Sequence, residues 1–123
     1  MTMDIAVINL KEKCQKFREL HSYKVIARMN NYYFKLVKVK REFIWHIHVD
    51  TDEVFMVMEG HLQIDLRDRT LHLNEGEMAV IPKGVEHKTI CRDESTILLI
   101  EPVGTINTGN AGGELTEQGL EWI

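Results

Sequence analysis

Cysteine is scarce in this 123-residue chain: Cys14 and Cys91 stand far apart and form no disulfide framework. They read instead as reduced, buried, small apolar side chains. Basic charge is not in excess either. Lysine and arginine number 15 against 19 acidic residues, a net charge of -4, so nothing draws the chain to nucleic acid or an anionic membrane. No apolar run approaches membrane-spanning length, and Ile5-Ala6-Val7-Ile8 is too short for a span or a secretion signal. The expected location is therefore cytoplasmic. Internal repeats, linkers and low-complexity segments are absent too, and the length fits one domain over residues 1–123.

What is present is a sufficient apolar fraction, 44%, for one core. Asn9 followed by Glu12 has the form of a capping box, and Leu10, Cys14, Phe17 and Leu20 recur at helical spacing. The expectation is one amphipathic helix over residues 10–20, within a helical segment 1–22. From Tyr23 onward the signals change to strands and turns: YKVIARM, YYFKLVKVK, EFIWHIHV, EVFMVME, LQIDLR, LHL, MAVIP, HKTIC and TILLIE. Many short strands at this spacing indicate an all-β sandwich or barrel, here over residues 23–102, with an irregular tail at 103–123. In LQIDLR, apolar and polar residues alternate, so one face is buried and one wet. In EVFMVME both faces are apolar, and the face bearing Val54, Met56 and Met58 requires a cover, either the N-terminal helix or a second subunit.

The chemistry concentrates in four residues. His46 and His48 share a face of a strand by parity, Glu53 follows at the start of the next strand, and His87 opens a later one. Three imidazoles and a carboxylate suit a divalent first-row transition metal: neutral nitrogen donors give affinity and the carboxylate offsets charge. The set is too rich in nitrogen for calcium or magnesium. Zinc, manganese, iron, nickel, cobalt and copper all satisfy it. A His-x-His pair alone also arises by chance on ordinary strands, so the surrounding spacing decides.

That spacing resembles the cupin superfamily. Its first motif is matched by His46-x-His48-x4-Glu53-x6-Gly60 and its second by Gly76-x5-Pro82-x-Gly84-x2-His87. Two positions depart from it: Lys40 stands at the leading glycine and Cys91 at the final asparagine, neither a metal ligand in the family. The resemblance is that of a compact single-domain cupin, similar to small cupins related to mannose-6-phosphate isomerase. It implies an all-β, jelly-roll-like antiparallel double-stranded barrel with a metal near its mouth. It further implies His46, His48, Glu53 and His87 as ligands of one divalent ion (Zn, Mn, Fe or Ni), a homodimer, and glycine turns at Gly60, Gly76 and Gly84. Four protein ligands leave two positions of a six-coordinate ion for a small oxygen-bearing molecule.

By parity Phe55, Val57, Thr89 and Cys91 face inward and make a mostly apolar wall, which disfavours a large polyanion. Cys91 reads as a fifth ligand, a redox-sensitive thiol or a buried apolar residue; Cys14 reads as core, and His21, His61 and His72 as surface. Glu59 and Glu86 are candidate acids or bases or solvated charges, Arg28 and Lys35 face either pocket or water, and residues 101–109 cross the barrel's outside or a partner subunit. No catalytic residue is evident. The function expected is metal-dependent chemistry on a small molecule, of isomerase, dioxygenase or lyase type. The alternatives are a non-catalytic binding or sensing module and a structural barrel with a vestigial site.

Overall fold

The computed structural model describes residues 5–117 and 119–123. One short helix, α1 (Leu10–Cys14), precedes nine strands: β1 (Lys24–Met29), β2 (Tyr32–Val39), β3 (Glu53–Glu59), β4 (His61–Leu66), β5 (Thr70–Asn74), β6 (Met78–Ile81), β7 (His87–Ile90), β8 (Ser95–Pro102) and β9 (Glu121–Trp122). Two sheets result, a six-stranded one in the order β6-β3-β8-β2-β1-β9 and a three-stranded one in the order β5-β4-β7. Apart from the parallel β1–β9 pair, every strand pair is antiparallel. This is the expected jelly-roll barrel.

Turn chemistry explains the hairpins. Met29 pairs with Tyr32 around Asn30-Asn31, and Asn30 takes φ 52°, which asparagine tolerates better than most residues. Gly60 turns β3 into β4 at φ 89°, and a Cβ there would lie 2.3 Å from Ser95 Oγ. Glycine is therefore required at this position both by backbone and by space.

The inner faces of the two sheets meet in one core that includes Val37, Phe55, Val57, Leu62, Ile64, Leu73, Ile81, Cys91, Ile97 and Leu99. A second cluster, Cys14, Phe17, Ile26, Leu36 and Leu98, lies on the outer face of the large sheet, with Met56 and Met58 packed against it. Leu98 and Leu99 thus point to opposite faces of β8, and both are buried. The second apolar face of EVFMVME accordingly receives its cover at Met56 and Met58 from the N-terminal segment.

Two expectations need correction. The helix is five residues long rather than eleven. Asn9 does cap it, accepting from the Glu12 N–H at 2.9 Å. Yet Gln15 and Lys16 bond back three residues, to Glu12 and Lys13, and the helix ends. Cys14 and Phe17 are buried while Leu10 and Leu20 stay exposed, so no continuous stripe exists to hold further turns, and a short helix depends on packing.

EFIWHIHV is not a regular strand. It runs beside β7 through isolated bridges, Glu42 to Ile90 and His46 to His87. Four steps on one side match three on the other, so the segment carries one extra residue, a β-bulge.

Candidate metal centre

Each clustered side chain is fixed by backbone pairing. The bridge between His46 and His87 is closed by two N–H···O bonds of 3.0 Å, one in each direction. Gly84 N–H donates to the His48 carbonyl at 2.9 Å, and Lys83 N–H to Asp52 Oδ1 at 2.8 Å, tying the second motif's turn to the loop that leads to Glu53. Gly76 and Gly84 take φ 81° and 79°, as turn glycines should. Glu53 itself opens β3.

The four predicted residues come together. One donor atom from each of His46, His48, Glu53 and His87 falls in a group spanning no more than 4.8 Å, and all four residues are buried. His46 and His87 rings lie 4.3 Å apart, His46 and His48 rings 5.1 Å. Nδ1 of His46 is 2.9 Å from the Ile44 carbonyl and Nδ1 of His87 is 3.0 Å from the Val85 carbonyl. Each Nδ1 therefore carries the proton, and each Nε2 keeps its lone pair.

Among the described residues, His48 Nε2, His87 Nε2 and Glu53 Oε1 are sealed from solvent without a hydrogen bond. Glu53 Oε1 lies 3.4 Å from both nitrogens. Charge does not bind them, because burial lowers the pKa of all three histidines, His46 to about 4. Neutral imidazoles form no ion pair. Unmatched buried acceptors are costly, and a divalent ion about 2.0–2.2 Å from each would satisfy them together. The cluster suits a metal ion.

Beside it lies a cavity of about 40 Å³ whose wall includes His46, Glu53, Phe55, Thr89, Arg41, Tyr23 and Asn107. A wider cleft of about 500 Å³ opens at His48, between residues 47–51 and 102–110. Thr89, Phe55 and Val57 face inward as parity required. Cys91 is 1% exposed and packed in the core, and burial pushes its thiol up to about 11. It lies outside the donor group and behaves as a buried apolar residue. Cys14 is core, and His61 and His72 are exposed and stacked on each other. His21 is partly buried, its Nε2 accepting from the Lys40 N–H at 3.1 Å. Glu86 pairs with Arg67 on the surface and Glu59 is exposed, so neither reaches the cluster. Arg28 bonds the Asn30 carbonyl at the surface.

Sequence reasoning left one feature open and missed two. Lys35 turns inward and its Nζ lies 2.8 Å from Glu101 Oε1, both buried. Residues 107–110 clasp the ligand segment: Asn110 Oδ1 accepts from the Ile47 N–H at 2.9 Å, and Asn110 N–H donates to the Ile47 carbonyl at 3.1 Å. Arg41 faces the cavity. The glutamate ending the apolar run TILLIE was the visible signal for the first; the bulge hid the third.

Residues 33–101 match the cupin domain family. The chain belongs to that family. This cupin is similar to the uncharacterized protein YdbB of Bacillus subtilis, at 37% identity over 82 residues, 66% of this chain and 73% of that protein. Its fold is similar to that of a cupin-2 domain containing protein from Shewanella frigidimarina, at 58% identity and TM-score 0.76, covering 78% of this chain and 94% of the other. A Neisseria meningitidis protein is also similar, at 34% identity and TM-score 0.71, covering 79% and 99%. Among the described residues no helix is long and apolar enough to cross a membrane.

Proposed function

We propose that this cupin holds one divalent transition metal ion (Zn, Mn, Fe or Ni) through His46, His48, Glu53 and His87 and acts on a small oxygen-bearing molecule, by isomerase, dioxygenase or lyase chemistry. The observation that carries the reading is the convergence of donor atoms from four buried residues, three of which bring a sealed atom with no hydrogen-bond partner among the described residues. When bound, the ion supplies Lewis acidity toward a carbonyl or enediolate oxygen. The chain's own residues do the rest. The Ile44 and Val85 carbonyls fix the imidazole tautomers of His46 and His87. Phe43, Phe55 and Leu99 give the adjoining cavity an apolar side alongside its polar residues.

A second reading, a binding or sensing module without turnover, is favoured by the placement of Glu59 and Glu86 away from the cluster, which removes the two acid-base candidates. A homodimer in the cytoplasm fits both. Apolar Met78 and Val80 on edge strand β6 are about half exposed, at 54% and 52%, and Ile5 and Val7 almost wholly so, at 93% and 99%. Both cysteines are free. Elemental analysis of untagged protein purified without added metal tests the ion: one per chain supports the reading, and a protein that carries none and takes up none refutes it. Turnover against binding alone, on small acids, diols and sugars, separates the two functions.

A further inference from the structure

One partly buried charged side chain at the cavity wall has no counter-charge bonded to it among the described residues. Arg41 lines the same cavity as His46 and Glu53. Its Nε is sealed from solvent and lacks a hydrogen-bond partner among the described residues. The guanidinium carbon sits 4.9 Å from the centre of the Phe43 ring, a cation–π contact that orients the group without neutralising it. Glu117 acts on it only through space, and a Glu117 carboxylate oxygen accepts instead from the Gly119 N–H at 3.2 Å. An Arg headgroup keeps its charge in proteins, and leaving a sealed donor such as Nε unmatched is costly. The polar remainder of the wall, Tyr23, Thr89 and Asn107, carries no cation. A cavity of about 40 Å³ admits roughly three water-sized groups, the size of a carboxylate with one substituent.

We propose that Arg41 is the specificity residue of this site, binding the carboxylate of a small monoanionic acid whose second oxygen function reaches the His46–Glu53 side of the cavity. This rests on the metal-centre reading for the second contact only; the first belongs to Arg41 itself. The planar fork of arginine matches a carboxylate two bonds at a time. Arg41 is the one arginine or lysine in a wall whose other polar residues are Tyr23, Thr89, Asn107, His46 and Glu53, and a lone cation selects a single negative charge over neutral sugars and polyphosphates.

The test uses calorimetry with glycolate and its neutral counterpart glycolamide, on zinc-loaded and metal-free protein, for the wild type, Arg41→Met and Arg41→Lys. The wild type should bind glycolate about 10- to 100-fold more tightly than glycolamide. Arg41→Met should lose that preference while taking up zinc as the wild type does, and Arg41→Lys should fall between. Should Arg41→Met fail to fold, Arg41→Lys carries the comparison. Equal binding of the two probes by the wild type, or an unchanged preference in the variants, overturns the proposal. A wild type that takes up no zinc defeats the metal reading alone, since the glycolate preference and its dependence on Arg41 are then read on metal-free protein.

Discussion

Lys35 Nζ lies 2.8 Å from Glu101 Oε1, and both side chains are buried beside Glu53. Glu101 and Glu53 are close enough for each carboxyl to shift the other's titration. Two buried carboxylates this close resist ionising together, so the pair is expected to hold one proton at neutral pH; among the described residues Glu53 Oε1 and Glu101 Oε2 have no hydrogen-bond partner. Burial and the Glu53 carboxylate push Glu101 up to about 8, against the lowering effect of Lys35. Metal uptake at pH 7 should therefore release about one proton from this pair. Calorimetry in buffers of different ionisation enthalpy measures it, and Glu101→Gln should abolish it while still binding metal. No buffer dependence in the wild type would mean that the pair holds no proton.

Removing a donor should cost affinity before it costs the fold. His48→Ala is expected to weaken metal binding by at least about 100-fold, since even outer partners of a metal ligand are worth 10- to 100-fold. Competition with a chelator reads the affinity. The variant should melt close to the metal-free wild type, because the His48 bond to the Gly84 N–H is made by its backbone carbonyl and survives the substitution, while the side-chain Nε2 has no hydrogen-bond partner among the described residues. Unchanged affinity would remove His48 from the ligand set.

Stability of the metal-free protein should fall in acid. His46 has a folded pKa of about 4 against 6.5 unfolded, because burial disfavours its charged form. Between those values the unfolded chain binds the extra proton, so stability is full above pH 6.5 and is lost as pH falls toward 4, by roughly 3 kcal/mol. Glu101 works in the opposite sense. Its raised folded pKa, about 8 against 4.5, gives stability that is full below pH 4.5 and lost as pH rises through 8. Urea melts from pH 4 to 8 should show the acid limb reduced in His46→Gln and the alkaline limb reduced in Glu101→Gln.

The clasp over the ligand segment can be opened from the tail. Gly109 takes φ 53°, and a Cβ there would lie 2.3 Å from the Ile47 carbonyl oxygen, which is backbone and cannot step aside. Gly109→Ala should displace residues 107–110 and loosen His46 and His48, weakening metal binding about tenfold or more. Gly104→Ala, at φ 89° but with open space around its added methyl, shares the backbone strain without the clash and serves as the control. Equal losses in the two variants would show strain alone to be responsible.

Much of this was legible beforehand, for identifiable reasons. His46, His48, Glu53 and His87 could be read because strand parity and motif spacing are local and survive folding. The inward set Phe55, Val57 and Thr89 followed for the same reason. The helix was overestimated because spacing records which residues could form a stripe, not whether the body offers a groove for it; Leu10 and Leu20 found none. Lys35 and Glu101 are 66 positions apart, and their meeting depends on the pairing of β2 with β8, which no local pattern announces. The tail's role at Ile47 was invisible for the same reason.

Parity counted back from His46 would point Glu42 and Ile44 inward, yet Phe43 is buried, Glu42 is exposed, and Arg41 reaches the cavity. The extra residue at the bulge makes the difference. Pairing the same residues without the bulge would leave His46 and His48 in place and turn the preceding stretch over. Glu42 would then enter where Arg41 had been, and the chamber's polarity would reverse from cationic to anionic. At this site, the sign of the charge that faces the cavity is encoded in the register of the backbone that approaches it.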